Sequence, residues 1–148
     1  MKKIGAKVLL GIPAVLLVAA ACAKSPAKAT AGGANPASKT SAIAVSQKEW
    51  AIQPAVSSVT SGAVTFKVTN NGSMTHEFVV LRTDAAPGGI SVQAGKAAEA
   101  GHQGEVEDIA PGTTKTLSLN LPPGHYVLLC NIPGHYLAGM HAAITVTT

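Results

Sequence analysis

Cysteine is scarce in this sequence: two cysteines, Cys22 and Cys130, occur among 148 residues. Cys22 ends an N-terminal apolar segment, where processing either removes the residue or attaches a lipid to it. No disulfide bond can therefore form within the mature domain, although an oxidising compartment would permit one. A lone buried cysteine is usually just a small hydrophobic residue, so a functional role for Cys130 needs support from its neighbours.

Charged and aromatic residues are also few, at 12% and 3% of the sequence. The whole chain has a formal net charge of +4, but Lys2, Lys3 and Lys7 precede the first apolar run, and residues 22–148 alone have a charge of +1. The sequence contains no basic cluster and no alternation of basic with aromatic residues. Nucleic-acid binding is therefore not supported.

The apolar run near the N-terminus is too short to predict a membrane-spanning helix. Residues 1–22 have the pattern of a signal peptide instead, with early lysines and an apolar stretch from Val8 to Ala21. A lipoprotein signal would place a lipid on Cys22, although Ala19 stands where such signals usually have leucine. Ordinary cleavage after Ala23 would discard Cys22. We favour lipidation because a polar segment follows at once, and both modes predict export to the periplasm or the outer face of the cell membrane.

Composition divides the rest of the chain into two parts. Residues 23–41 are rich in Ala, Ser, Thr, Lys, Gly and Pro without apolar periodicity, which is typical of a flexible tether. Residues 42–148 are enough for one hydrophobic core and too few for two. We therefore predict a single folded domain over 42–148.

Apolar alternation predicts that this domain is all-β. Half-buried strands are indicated where apolar residues recur at every second position, as in Ile43 and Val45, in Val64, Phe66 and Val68, and in Leu117, Leu119 and Leu121. Turn residues separate these short runs, which favours a sandwich or barrel. Residues 84–104 are rich in glycine and predict a long excursion with one helical turn. Trp50 and Ile52 are predicted to contribute to the core.

The segment from Cys130 to Met140 combines a thiol, an imidazole and a thioether, with His135 five residues from each end. Proline and glycine within the segment exclude a regular helix, so it is predicted to be a folded loop. Thiolate, imidazole and thioether are soft ligands, and copper is the matching metal ion. A blue-copper centre needs a second imidazole in addition to these three groups.

His76 is the best candidate for that second imidazole. His125 is expected about 16 Å from Cys130 on one strand, at ~3.3 Å per residue. His141 adjoins the thioether ligand and points to the opposite strand face, and His102 lies in a stretch rich in Gly and Ala. His76 begins an apolar run directly after a turn, so a packed core would hold it. Strand parity places His76, Cys130 and Met140 on apolar faces. The predicted ligands are these three residues and His135 of the loop.

The pattern Cys130-x4-His135-x4-Met140, with Ile132-Pro133-Gly134 inside it and His76 upstream, resembles the cupredoxins, the type 1 blue copper proteins. Its intervals are similar to those of rusticyanin and auracyanin. The resemblance extends over about residues 42–148 and implies a Greek-key β-sandwich of about seven to eight strands. It also implies one type 1 copper ion and one-electron transfer rather than enzymatic catalysis. His76, Cys130 and His135 would be the equatorial ligands and Met140 the weak axial ligand.

The resemblance has implications beyond the ligands. It implies that the ring edge of His135 lies near the surface and is the point where electrons enter or leave. Transient docking of a redox partner is expected on the apolar residues around it, which are Pro133, Tyr136, Leu137 and Ala138. The alternative is that Tyr136 and Leu137 pack inward. One position departs from the family pattern: Glu77 follows the first histidine, where an asparagine commonly braces the cysteine loop.

Two functions from different classes agree with these residues. The first is an exported, monomeric electron carrier that cycles between Cu(I) and Cu(II) and is anchored to the membrane by a lipid if Cys22 is modified. The second is an exported copper-binding protein for storage, delivery or detoxification. Delivery surfaces tend to be rich in Met and His, whereas this sequence has three methionines, so the carrier is favoured.

Overall fold

A computed structural model describes residues 41–148 of the chain. The predicted signal peptide (1–22), the lipidation site Cys22 and the predicted tether except for its last residue lie outside the described residues. Within residues 41–148 there are eleven strands and no helix, and hence no helix that could cross a membrane. The strands are β1 (Ser41–Lys48), β2 (Ala51–Pro54), β3 (Ser58–Thr60), β4 (Gly62–Asn70), β5 (His76–Arg82), β6 (Val92–Gln93), β7 (Lys96–Ala97), β8 (His102–Ile109), β9 (Thr114–Leu121), β10 (Gly124–Leu129) and β11 (His141–Thr147).

Nine of these strands form two sheets, and the predicted β-sandwich is confirmed. The first sheet has the order β2-β1-β4-β9, and the second has the order β3-β11-β10-β5-β8. β1 pairs in parallel with β4, whereas β10 lies between β11 and β5 with antiparallel pairing on both sides. Seven strands have six or more residues, close to the predicted count of seven to eight. The other four, β2, β3, β6 and β7, are too short to produce an alternating pattern.

The main core lies between the two sheets and contains the residues selected by alternation. Phe66 on β4 and Phe78 on β5 are buried and lie with their ring centroids 5.4 Å apart. Tyr126 on β10 and Ile144 on β11 belong to the same core cluster. Burial of apolar surface stabilises the folded state by roughly 25 cal/mol per Å². The apolar pattern of each strand therefore decides which of its faces points to the core.

A second, smaller apolar cluster covers the outer face of the second sheet. On β5 and β10 it contains the residues whose side chains point away from the main core, which are Val79, Leu81, Val127 and Leu129. Ala97 and Tyr136 pack over them. This cover explains why β5 and β10 are apolar at nearly every position, because strands buried on both faces lose the alternation.

The cover comes largely from the long connection between β5 and β8, residues 83–101, which we call the excursion. The excursion contains the two-stranded hairpin β6-β7. The prediction of a helical turn within 84–104 is wrong. Gly95 and Gly101 have φ angles of +80° and +83°, a backbone conformation that favours glycine and that turns the chain tightly instead of continuing a helix.

Candidate metal centre

His76 is the first residue of β5 and is completely buried. A loop braced by the buried side chain of Asn70 delivers it. Asn70 Nδ2 donates to the carbonyl oxygens of Met74 and Ile109, at 2.7 Å each, and Asn70 Oδ1 accepts from the Gly72 N–H at 2.9 Å. Because both ends of this amide are occupied, the turn before β5 has little freedom and His76 enters the core at a fixed point.

Cys130, His135 and Met140 lie on one loop between β10 and β11. Backbone hydrogen bonds tie them together: the Cys130 N–H donates to the Met140 carbonyl and the Met140 N–H donates to the His135 carbonyl, both at 3.1 Å. Cys130 and Met140 are fully buried in the main core cluster. The loop is thus closed on itself by its own backbone, as the prediction of a folded loop required.

The side chains of His76, Cys130 and His135 face one another from these two segments. One donor atom of each lies within 4.8 Å of the other two. Nδ1 of His76 is 3.3 Å from Nδ1 of His135, and Sγ of Cys130 is 3.4 Å from Nδ1 of His135. The structure therefore brings three of the four predicted ligands into one buried triangle, with Met140 buried beside it.

This donor set fits a soft metal ion. Ligand atoms that share one ion at bond lengths of about 2.0–2.3 Å lie roughly 3–4 Å apart, and both measured separations fall in that range. One thiolate and two imidazoles with a nearby thioether form the pattern of a type 1 copper site. The residues present are therefore those that would hold copper.

Burial shifts the pKa values of the predicted ligands in two opposite directions. It lowers the pKa of His76 and His135, although Glu49 opposes the shift, so both imidazoles are neutral and can ligate. It raises the pKa of the Cys130 thiol, so in the metal-free protein this residue keeps its proton. Metal binding displaces that proton.

The sulfur of Cys130 accepts a backbone hydrogen bond from the residue after the first histidine. The Glu77 N–H donates to Sγ at 3.3 Å, and the Glu77 carbonyl accepts from Nε2 of the buried Gln47 at 2.9 Å. The Glu77 carboxyl is itself nearly buried, and this burial raises its pKa, while Lys96 acts in the opposite direction. Position 77 thus contacts the sulfur through its backbone.

Asn131, which directly follows Cys130, supplies the side-chain brace of the ligand loop. Its Oδ1 accepts from the Ala97 N–H at 2.7 Å, and its Nδ2 donates to the Ala97 carbonyl at 3.0 Å and to Glu99 Oε1 at 2.6 Å. Asn131 is buried, so these bonds replace water that its amide and the backbone at Ala97 would otherwise need. Glu77 stands where the family pattern has a bracing asparagine. In this chain Asn131 provides a side-chain brace instead, and its hydrogen bonds go to the excursion.

Three more hydrogen bonds join the excursion to the ligand loop. The Tyr136 hydroxyl donates to the Pro87 carbonyl at 2.7 Å and accepts from the Ile90 N–H at 2.9 Å, and the Gly134 N–H donates to the Gly95 carbonyl at 2.9 Å. The excursion, to which the sequence assigned no chemistry, therefore holds the ligand loop in place.

The turn between β1 and β2 contacts both imidazoles with consecutive residues. Glu49 Oε1 lies 3.4 Å from His76 Nε2. The Trp50 ring stands edge-on to the His135 ring, with centroids 5.1 Å apart. Ile52 is buried as predicted, but the assignment of Trp50 to the core is wrong, because its side chain is 45% exposed. No local pattern points to Glu49 or Trp50; the parallel pairing of β1 with β4 brings them to the site.

The predicted docking residues divide into two groups. Pro133, Leu137 and Ala138 are exposed, Leu137 to 65%. Tyr136 is 3% exposed and packs inward, so its assignment to an exposed patch is wrong. His135 is 6% exposed, and Trp50 covers part of it. The exposed apolar surface near His135 therefore includes Trp50, a residue predicted for the core.

The three remaining histidines do not join the buried triangle. His102 and His125 are exposed and His141 is partly exposed. Among the described residues, one other group, Glu99, His102 and Glu105, has donor atoms close enough to share an ion. All three are exposed, and exposed acidic groups of this kind are common without a metal.

Comparisons with known proteins agree with this centre. The family model for copper binding proteins of the plastocyanin/azurin family matches residues 39–147. A comparison with curated protein sequences found no match.

Solved structures with the same fold include auracyanin from Roseiflexus castenholzii, with 23% identity and a TM-score of 0.53 over 75% of this chain and 98% of that one. They also include auracyanin A, described as a blue copper protein, from Chloroflexus aurantiacus, with 19% identity and a TM-score of 0.54 over 73% and 99%. Rusticyanin from Thiobacillus ferrooxidans has 17% identity and a TM-score of 0.55 over 74% and 78%. The match of residues 39–147 spans the whole sandwich and its buried triangle of ligands, and the chain belongs to the plastocyanin/azurin family of copper binding proteins, the cupredoxins.

Proposed function

We propose that the chain is an exported type 1 copper protein that transfers single electrons between redox partners. His76, Cys130 and His135 would be the equatorial ligands and Met140 the axial ligand. Copper bound by these residues supplies a one-electron couple between Cu(I) and Cu(II). The residues of the chain hold the site, exclude water and offer a surface for the partner.

The proposal rests on the buried triangle of His76, Cys130 and His135. Its donor atoms are at ligand separations, and three sets of contacts hold them: a buried strand start, a loop closed by its own backbone and the brace from Asn131 to the excursion. Ligands held in this way change position little when the charge of the metal changes, which favours rapid electron transfer. A site meant to release its ion would gain from a looser loop.

The same burial favours a carrier over an enzyme. His76, Cys130 and Met140 are 0% exposed and His135 only slightly more, so a substrate has little access to the centre. Electrons need no such access, because they can pass through the His135 ring and the Trp50 ring packed against it. The exposed apolar residues Trp50, Pro133, Leu137 and Ala138 suit brief docking of a partner protein.

The decisive experiment is to add Cu(II) to purified residues 42–148 and to record absorption and electron paramagnetic resonance spectra. An intense visible band from the bond between the cysteine sulfur and Cu(II) is expected, with repeated reduction and oxidation that releases no metal. A colourless complex would contradict the assignment as a type 1 site. Transfer of Cu(I) to a chelator on reduction would instead support storage or delivery.

Export and lipid attachment need their own test. The full-length chain, expressed in a bacterium with lipoprotein processing, is expected in the membrane fraction with a lipid on Cys22, as detected by mass spectrometry of the mature N-terminus. A Cys22→Ala variant is expected to lose the lipid. A wild-type mature N-terminus beyond residue 22 would exclude lipidation and leave export intact.

A further inference from the structure

The side chain of His76 has one nitrogen in the ligand triangle and one outside it. Nδ1 faces His135 and the triangle. Nε2 is buried and has no hydrogen-bond partner among the residues that the structure describes. A buried N–H that lacks a partner is costly, so an acceptor is expected beside it. The facing acceptor is Glu49 Oε1, at 3.4 Å, which is slightly longer than a standard hydrogen bond.

The Glu49 carboxylate is held in place by the loop that delivers His76. The same Oε1 atom accepts from the backbone N–H groups of Ser73 at 2.9 Å and Met74 at 2.7 Å. Gly72 leaves room for it, because a Cβ at position 72 would lie 2.5 Å from both carboxylate oxygens. The carboxylate is therefore built into the turn before β5, although the side chain is 22% exposed.

We propose that Glu49 is a positioning residue for the copper ligand His76: its carboxylate holds the proton on Nε2, directs the Nδ1 lone pair to the metal and lowers the reduction potential. This inference rests on the proposed function, since a potential exists only if the site binds copper.

The position of the proton follows from the chemistry of the two imidazole nitrogens. A neutral imidazole has one N–H donor and one lone pair, and the group that accepts from one nitrogen decides which of them faces the metal. Carboxylate partners of metal-bound histidines act in this way and also make the imidazole a stronger electron donor. With Glu49 at Nε2, Nδ1 is the nitrogen left free to face Cys130.

The effect on the reduction potential follows from the negative charge of Glu49. A fixed negative group next to a ligand attracts Cu(II) more strongly than Cu(I), because the interaction grows with the charge of the ion and falls with distance. The partly exposed position of Glu49 screens this attraction without cancelling it. Loss of the charge should therefore favour the reduced state.

The main test is the variant Glu49→Gln, which keeps an acceptor oxygen and removes the charge. We expect the ratio of Cu(II) to Cu(I) affinity to fall about tenfold, seen as a rise in potential of about 59 mV. Asp84→Asn is the matched control, since it removes an exposed carboxylate beyond the opposite end of β5, and it should leave the potential unchanged. If Glu49→Gln has the same potential as the wild type, the charge of Glu49 does not lower the reduction potential and that part of the proposal is wrong.

A second test uses the metal-free protein and so does not depend on copper. Nitrogen-15 chemical shifts of His76 should show the proton on Nε2 in the wild type and in Glu49→Gln, and a mixture of both tautomers in Glu49→Leu. A wild-type proton on Nδ1 would overturn the positioning role. Gly72→Ala tests the same role without altering Glu49, because the new methyl group displaces the carboxylate; we expect a rise in potential in the same direction.

The two proposals fail in different ways. If the wild type shows no visible band with Cu(II), the proposed function fails, while the tautomer measurement on the metal-free protein still decides the position of the proton. If the wild type is blue and Glu49→Gln has the same potential, the inference about Glu49 fails alone. Far-ultraviolet circular dichroism of each variant checks that the sandwich is intact.

Discussion

Two kinds of structure surround the same buried side chains. On one side are regular strands: His76 begins β5, Cys130 directly follows β10 and Met140 directly precedes β11. On the other side are the excursion and the turn between β1 and β2, which have little regular structure. The strands bring the predicted ligands together, whereas the irregular segments brace the ligand loop, cover His135 and place a carboxylate beside His76.

The difference shows which parts of a metal centre follow from periodicity. In a strand, side chains alternate between two faces, so the apolar pattern alone decides that a ligand points inward. A loop or turn has no such rule. Its contacts depend on which distant segment lies opposite, and in this protein long-range pairing of strands decides that.

The largest expected effect tests a ligand that the regular strands position. Cys130→Ala removes the only thiol of the described residues, and we expect complete loss of the visible band with the β-sandwich retained, because the alanine remains a small buried residue. Absorption and circular dichroism spectra measure both. His125→Gln, on the exposed side of β10, is the control. A visible band that persists in Cys130→Ala would contradict ligation by the sulfur.

The next effect concerns the axial position. Met140→Leu keeps the apolar volume and removes the thioether, so copper should remain bound while the potential rises. A tenfold change in the ratio of Cu(II) to Cu(I) affinity would raise it by about 59 mV. Voltammetry measures it. Met74→Leu, at an exposed methionine, is the matched control. Equal potentials in Met140→Leu and the wild type would mean that Met140 is not the axial ligand.

The irregular side of the comparison is tested by Asn131→Ala. This change leaves the buried N–H and carbonyl of Ala97 without partners, and we expect the free energy of unfolding to fall by about 2 kcal/mol. Denaturant unfolding of the metal-free domain measures it. The exposed Asn120→Ala on β9 should cost much less. If Asn131→Ala lowers the free energy of unfolding as little as Asn120→Ala does, the excursion does not brace the loop.

A smaller effect is expected at the docking surface. Leu137→Asp places a charge at the most exposed large apolar residue between 41 and 148, so electron exchange with a partner should slow severalfold while the absorption spectrum stays the same. Stopped-flow rates measure the exchange. A charge at the exposed Thr116 of β9, in Thr116→Asp, is the control. Equal slowing by both substitutions would argue against docking at this surface.

The smallest effect is the pH dependence of the metal-free domain. Burial lowers the pKa of His76 and His135 below 6.5, so below that pH the unfolded chain binds more protons than the folded one. The contribution of these two residues to the free energy of unfolding should therefore be fully present above about pH 6.5. Below that pH the free energy of unfolding should fall, by at most about 1.4 kcal/mol per pH unit for each imidazole. Urea unfolding at several pH values, compared between wild type and His76→Gln, measures the share of His76. Identical profiles would contradict its lowered pKa.

Much of the fold could be predicted because apolar residues recur with a strand period. The faces of β1 and β4 were read directly from residues such as Val45 and Phe66, and both are buried. Met140 and Cys130 were placed on core-facing positions by the same parity. The short strands β2 and β3 escaped prediction, since three or four residues are too few to show a period.

The surroundings of the site could not be predicted in the same way. Trp50 was assigned to the core on hydrophobicity alone, but its environment depends on the distant loop that contains His135. Tyr136 lies one residue after a ligand, yet its hydroxyl is bound by the excursion and its ring is buried. Both errors concern residues with contacts more than forty positions away in the chain, Trp50 with His135 and Tyr136 with Pro87 and Ile90.

By itself the sequence determined the class of fold, the ligand types and the inward direction of His76, Cys130 and Met140, because alternation and donor chemistry are local properties of the chain. Only the tertiary structure decided that Glu49 lies beside His76, that Trp50 covers His135 and that Asn131 ties the ligand loop to the excursion. These contacts join segments that are remote in sequence, and no local pattern specifies which remote segments meet.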